Sequence, residues 1–254
     1  MPSVVILTHT QVHGGLVLST GGISTGFVVS QEGHIMTCAH CAGKERQFID
    51  KRGIHRNIFL ESETYVKFLD RDISPVRAEL VVAVPEFDLA ILKIPGLPEG
   101  VMANTVVSFS ETAPEIGDSV FVTGHPSLEY ATRCGIISSP ACFPHHFSFS
   151  ARVFEDLFKR TVNGLHLIEI DINCRPGFSG APVFSPTGEV VGMVLATLAN
   201  TTLALPSLFC QAVVNYALHN PSIGGAKIMG GARFIPEDLK VESHLVARLS
   251  VKKD

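Results

Sequence analysis

The sequence predicts an all-β protein of two six-stranded antiparallel β-barrels with a C-terminal helix. Three observations carry that prediction. Strand-like segments dominate the chain, each short, rich in Val, Ile, Leu and Phe, and bounded by Gly, Asp or Pro. They fall into two sets of six with no helical pattern between them, which favours antiparallel barrels over a parallel sheet. With 254 residues, 46% of them apolar, the chain is long enough and apolar enough to fill a substantial core.

The first set runs Leu16 to Ser19, Gly26 to Ser30, Ile35 to Thr37, Thr64 to Leu69, Ala78 to Val84 and Leu89 to Ile94. A Gly- and Pro-bearing connection from Pro95 to Gly100 leads to the second: Ser119 to Thr123, Arg133 to Ser138, Leu165 to Ile172, Ala181 to Phe184, Val190 to Leu198 and Thr202 to Leu205. Residues 1–100 are therefore expected to form an N-terminal barrel, 101–221 a C-terminal barrel with its closing helix, and 222–254 a tail. Ser185-Pro-Thr-Gly188 reads as a hairpin turn, with Pro presetting its second position and Gly at its fourth. Ser207 is expected to cap a helix from Leu208 to His219 that presents Leu208, Ala212 and Tyr216 on one face and stops at Asn220-Pro221.

Charge excludes some function classes. The net charge is −4, and the cationic clusters at Lys44 to Arg46, Lys51 to Arg56 and Lys252-Lys253 are mixed with other residues and read as solvated loops, so no nucleic-acid partner is expected. No segment has the apolar length of a membrane-spanning helix, and the N-terminus lacks the charged start and long apolar run of a signal peptide. With Met1 as the natural start, the expectation is an intracellular, cytoplasmic protein.

The chemistry concentrates in three segments. Cys174-Arg-Pro-Gly-Phe-Ser179-Gly-Ala-Pro-Val-Phe184 sets one serine between glycines in a turn that closes onto an apolar strand. Gly177 can adopt backbone angles closed to other residues, so the amides of Gly177 and Ser179 can converge as an oxyanion hole. His34-Ile-Met-Thr-Cys-Ala-His40-Cys-Ala-Gly43 brings a histidine to the end of a short strand. Val84-Pro-Glu-Phe-Asp88 places a carboxylate at the head of another. A serine nucleophile needs a base to take its proton and a carboxylate to orient that base, and His40, Asp88 and Ser179 supply the set. Asp70 and Asp72 are rival carboxylates, but their Asp-Arg-Asp loop favours solvation.

A metal reading is weaker. Strand alternation through Cys38-Ala-His40-Cys41 would point Cys38 and His40 one way and Cys41 the other, and a metal on His40 would remove the base. Cys142-Phe-Pro-His145-His146 reads as a surface loop with incidental histidines. Neither a metal nor a cofactor is expected.

These segments resemble the chymotrypsin-like serine proteases, and among them the HtrA/Deg group. Thr37-Cys-Ala-His40 is similar to the histidine signature, Asp88-Leu-Ala-Ile-Leu-Lys-Ile94 to the aspartate strand, and Gly177-Phe-Ser-Gly-Ala-Pro182 to the nucleophile loop. Ile116 to Pro126, Gly135 to Ser138, Thr187 to Gly192 and Leu203 to Ser207 follow the group's order, so the resemblance spans about residues 16 to 220. It implies a serine endopeptidase that cleaves polypeptides through an acyl-enzyme. Asn173 would then sit at the floor of the primary pocket, with walls drawn from Leu195 to Leu198, which suits a small or medium aliphatic side chain. Alternatives are a silent binding module that kept the barrels, or an esterase or acyl-transferase using the same triad.

Departures are visible too. Ala181 stands where the group usually has glycine, and Phe178 where trypsin-like zymogens carry aspartate. Cys41 lacks the upstream partner that secreted relatives bridge to it, and so reads as unpaired. The tail is too short for a PDZ domain. Residues 1 to 26 contain none of the aromatic anchors through which HtrA enzymes trimerise. The long segment 139–164, holding Phe143, Phe147, Phe149, Phe154 and Phe158, is the expected contact for a regulator or second subunit.

Overall fold

The computed structural model describes residues 3–13, 16–49, 55–61, 63–69, 74–96, 105–142, 166–198, 200–219 and 227–228. Its first half contains strands β1 (Val4–His13), β2 (Leu16–Val28), β3 (His34–Cys38), β4 (Gly43–Ile49), β5 (His55–Glu61), β6 (Glu63–Lys67), β7 (Val76–Val84) and β8 (Leu89–Lys93), with one helical turn, α1 (Ala39–Ala42), after β3. Six of the strands close a barrel in the order β7-β6-β1-β2-β3-β8, with β8 pairing back onto β7.

The number of barrel strands agrees with the sequence reading, but their membership does not. Leu16 to Ser19 and Gly26 to Ser30 are not separate strands; the first lies wholly, and the second in part, within the single strand β2, and β1 supplies the missing sixth. Register shifts at His9/Thr10 and Gln11/Val12 let this long antiparallel pair bend without breaking, so Gly21-Gly22 lies inside a strand and does not end one. The cationic stretch Lys44 to Arg46, expected in a loop, lies in β4, which pairs with β5 as a separate hairpin. Its polar run carries no apolar alternation to signal a strand.

All six strands expected in the second barrel are present: β9 (Ser119–Gly124), β10 (Ala131–Cys142), β11 (Leu167–Ile170), β12 (Pro182–Phe184), β13 (Val190–Leu198) and β14 (Thr201–Pro206). They close in the order β10-β11-β14-β13-β12-β9. The β12–β13 hairpin turns where expected: the Gly188 amide donates to Ser185 O at 3.0 Å, with Gly188 at φ 86°.

Helix α2 (Ser207–His219) follows β14 directly. Its phase differs from the expected one. Phe209, Cys210, Val213, Val214 and Ala217 form the buried stripe, whereas Leu208 is 44% exposed. Ser207 is the first helical residue, and its hydroxyl donates to Ser110 O at 3.2 Å, so it ties the helix to a neighbouring loop. Phe209 meets Phe87 edge to face at 5.1 Å, which links the helix to the first barrel beside Asp88. A two-residue strand, β15 (Lys227–Ile228), then pairs in parallel with Val82 and Ala83 of β7, so part of the segment read as a tail belongs to the first sheet.

The core follows the same plan. One cluster, including Val5, Leu7, Ile35, Val66 and Leu92, belongs to the first barrel, and another, including Val122, Ile137, Ile168 and Phe178, belongs to the second. A third draws on both barrels and on α2: Phe27, Met36 and Leu89 share it with Met193, Leu205, Phe209 and Val213. Burying each such side chain contributes about 1.5–3 kcal/mol, so the contact that brings the two barrels together is as apolar as their interiors. No helix among the described residues is long and apolar enough to cross a membrane.

Candidate active site

His40 sits on α1, where the chain leaves β3. The turn is held from the opposite strand: the Ala39 amide donates to Asp88 O at 2.9 Å and the His40 amide to Asp88 Oδ1 at 2.8 Å. The other carboxylate oxygen, Oδ2, lies 2.6 Å from His40 Nδ1. One aspartate therefore fixes both the backbone and the ring of the histidine. Asp88 achieves this from a left-handed conformation at φ 50°, the only positive φ on a non-glycine among the described residues. It ends the 3-10 turn Pro85–Phe87, and aspartate tolerates this region better than bulkier side chains. Its side chain is 3% exposed while that of His40 is 45% exposed, so the carboxylate is shielded and the far edge of the imidazole faces outward.

Burial lowers the affinity of His40 for a proton, but the Asp88 carboxylate and the Cys41 sulfur outweigh it and hold its pKa well above the usual histidine value. Cys41 corrects the sequence reading. It was expected to point away from Cys38 and His40, yet it interacts electrostatically with both, because the strand ends at Cys38 and a helical turn replaces strand alternation. The hydrogen bond from Cys38 and the charge of His40 hold the Cys41 thiol well below its usual pKa, against desolvation, while burial pushes that of Cys38 up. His9, on the unexpected strand β1, faces the same cluster; its Nε2 is 2.6 Å from Ser24 Oγ and its Nδ1 3.2 Å from Thr64 Oγ1.

Donor atoms of Cys38, His40 and Asp88 lie within 4.8 Å of one another, close enough to raise the metal question again. They are already engaged, the Cys38 thiol with Val194 O at 3.2 Å and the other two with each other. Asp70, Asp72, His145 and His146 lie outside the described residues.

The Ser179 turn is shaped by glycines. Gly177 has φ 101°, and a Cβ there would stand 2.4 Å from His125 O; Gly180 has φ 81°, and a Cβ there would stand 2.2 Å from Thr25 O. Only glycine fits either place. The amides of Phe178, Gly180 and Ala181 donate to Arg175 O, Val194 O and Phe178 O, whereas among the described residues those of Gly177 and Ser179 donate to no backbone carbonyl. Ser179 itself is half-buried.

Thr25 joins this turn to the first barrel, and sequence reasoning missed it. Its amide donates to Ser179 O at 3.0 Å, and its hydroxyl donates to Gly177 O at 2.7 Å while accepting from the His125 amide at 2.9 Å. Its own carbonyl accepts from Thr37 Oγ1 at 2.8 Å, and Thr37 stands three residues before His40. The two turns thus meet at Thr25 and Thr37. The expected pocket residues differ in exposure: Asn173 is exposed, Leu198 is half-buried, and Leu195, 3% exposed, belongs to the core cluster shared with α2.

The family model for the trypsin-like peptidase domain matches residues 24–193. The chain belongs to that family. Within it the chain is similar to proteins described as DegP-like and HtrA-type. It is 25% identical over 181 residues to a probable periplasmic DegP-like serine endoprotease of Ectopseudomonas mendocina (strain ymp), covering 71% of this chain and 30% of the relative. It is 28% identical over 181 residues to a protein of the same description from Hahella chejuensis (strain KCTC 2396), covering 69% and 29%. The chain thus spans about a third of the length of these curated relatives. The crystal structure of the serine endoprotease from Yersinia pestis superposes with a TM-score of 0.59 at 19% identity, over 87% of this chain and 65% of that one, a likeness of fold.

The relatives correct one expectation. They are named as periplasmic proteins, which overturns the intracellular, cytoplasmic location read from the N-terminus. The six cysteines do not restore it. All of them are unpaired here, but free thiols do not identify a compartment.

Proposed function

We propose that this chain is a serine endopeptidase in which Ser179 attacks a peptide carbonyl, His40 takes its proton and later returns it to the leaving amine, and Asp88 orients His40 and stabilises its charged form. The observation that carries this reading is the double hold of Asp88 on His40, at 2.8 Å to the amide and 2.6 Å to Nδ1. That hold leaves Nε2 as the ring nitrogen available to a nucleophile. The uncommitted amides of Gly177 and Ser179 support an oxyanion hole, in which each donor is worth about 2.7–4 kcal/mol. The names of the relatives support both endoproteolysis and a periplasmic or secreted location.

Polypeptides are the proposed substrates. The uncharged Asn173 disfavours a lysine or arginine at the primary pocket, so a small or medium aliphatic residue is expected before the cleaved bond. Segment 139–164 is proposed to contact a regulator or a second copy; residues 143–164 lie outside the described structure, and the proposal rests on their five phenylalanines. Incubation with unfolded casein tests the main reading: cleavage by the wild type and none by Ser179→Ala is the expected result, and equal cleavage by both would refute it. Hydrolysis of a small ester without any casein cleavage would favour an esterase.

A further inference from the structure

We propose that Cys38 and Cys41 form a reversible disulfide across His40, a modification site that sets the state of the catalytic base. The proposal builds on the reading of His40 as that base. Cys38-Ala-His40-Cys41 is a Cys-x-x-Cys sequence wound around the start of a helical turn, with Cys38 as its N-cap and Cys41 inside it. Residues three apart on a helix have Cα atoms about 5 Å apart, within the 4.4–6.8 Å that a disulfide spans. The two thiols are close enough to influence one another's titration. Both are free, and neither has a part in peptide hydrolysis.

Their environments suit two different roles. Cys41 lies at the margin of the core, 9% exposed, beside a half-exposed His40, and its proton is the more easily lost; Cys38 is fully buried and keeps its proton. With a hydroperoxide as oxidant, the Cys41 thiolate attacks the terminal oxygen, and the O–O bond breaks to give a sulfenic acid and hydroxide. Cys38 sulfur then attacks the Cys41 sulfur, the S–O bond breaks, and the departing oxygen leaves as water with the Cys38 proton. Two thiols lose two electrons, and one hydrogen peroxide becomes two waters once hydroxide takes up the proton first released by Cys41. A thiol reductant reverses the link.

The consequence for His40 follows from what surrounds it. It is faced by Asp88 at the head of β8, Cys38 at the end of β3, Cys41 on its own turn and His9 on β1. A general base must be neutral. The negative sulfur of Cys41 helps to keep His40 protonated, so converting it to a neutral disulfide moves the acid limb of the pH–rate profile to lower pH and raises the rate on that limb. Cys38 also surrenders its bond to Val194 O, but that carbonyl still accepts the Gly180 amide of the nucleophile turn.

The test treats the folded protein with hydrogen peroxide, blocks remaining thiols with iodoacetamide and digests with trypsin. Cys38 and Cys41 are the only cysteines in the peptide Met1–Lys44. The expected peptide carries no alkyl group until dithiothreitol is added, after which it carries two. Two alkyl groups on that peptide without reduction, or sulfinic acid at Cys41, under conditions that oxidise the exposed Cys134, would overturn the proposal. Cys41→Ser should leave Cys38 open to alkylation after unfolding; if that variant does not fold, the wild-type peptide decides alone. The oxidised enzyme should hydrolyse casein with its acid limb at lower pH, reversibly, and an unmoved limb would overturn the proposed effect on His40. A disulfide without fluorophosphonate labelling of Ser179 would instead refute the peptidase reading and leave the disulfide standing.

Discussion

The turn that carries His40 and the turn that carries Ser179 are built from different materials. The first is held by side chains: a buried carboxylate grips an amide and a ring, two thiols lie alongside, and the strained backbone position belongs to Asp88 itself. The second is held by backbone, through two glycines at positive φ pressed against the carbonyls of His125 and Thr25. Chemistry can therefore tune the first turn, while sterics fix the second. Removing a functional group should damage the first without unfolding it, whereas adding a single methyl group should disrupt the second.

The largest effect should come from the reacting groups. Ser179→Ala and His40→Ala are each expected to lower kcat by about 10⁶-fold to a common floor, and the double variant to fall no further, because triad members act as a unit. Casein-peptide kinetics would expose a double variant far below both singles. Asp88→Asn should fold and lose up to about 10⁴-fold through the wrong imidazole tautomer.

Steric fixing of the second turn is tested by paired glycines. Gly180→Ala should cost about 2–5 kcal/mol, the sum of a left-handed alanine and a forced contact with Thr25 O. Gly188→Ala, at φ 86° with nothing within 4 Å of the added methyl, should cost only about 1–2 kcal/mol. Equal losses in thermal or urea unfolding would remove the steric argument.

Two histidines sharpen the contrast through pH. Burial lowers the pKa of His125, which backs the Ser179 turn, from 6.5 to about 4. The unfolded chain then binds the extra proton first, so this contribution is complete above about pH 6.5 and is lost as pH falls toward 4, by at most about 3 kcal/mol. His40 has the opposite sign: its raised pKa stabilises the fold below 6.5, and that contribution is lost as pH rises through the folded value. Urea titrations from pH 4 to 8 should therefore flatten at the acid end in His125→Gln and at the neutral end in His40→Gln. Identical pH profiles for both variants and the wild type would contradict these assignments.

A modest effect is expected at the joint between the turns. Thr25→Val keeps the shape but leaves Gly177 O and the His125 amide without their partner, at a cost of about 1–3 kcal/mol, while Thr25→Ser should be nearly neutral. A Val variant as stable and active as the Ser variant would show that the joint is not held by hydrogen bonds.

The second barrel was legible strand by strand because Gly, Asp and Pro punctuate its apolar runs. The first was legible only in number. Bulges let β1 and β2 run past Gly21-Gly22, and the polar β4 has no alternation, so local pattern pointed elsewhere. The His40, Asp88 and Ser179 segments stood out because a strand end, a turn and a glycine pair leave local signatures. Thr25 did not, since its partners lie 100 and 152 residues away and nothing in Gly22-Ile-Ser-Thr25 announces them. Cys41 was misplaced because strand alternation was carried past Cys38, where the strand ends and a helical turn begins.

The short strand β15 has a consequence for how the molecule can be taken apart. The chain builds one barrel, then the other, then returns to lay Lys227 and Ile228 along β7, so the second barrel is one uninterrupted stretch of sequence and the first sheet is not. Two fragments cut between the barrels would each carry something the other lacks: one a sheet with an open edge at Val82 and Ala83, the other a strand that fits it. Added to the shared apolar contact, that edge pairing is the kind of handle by which separated fragments find each other again.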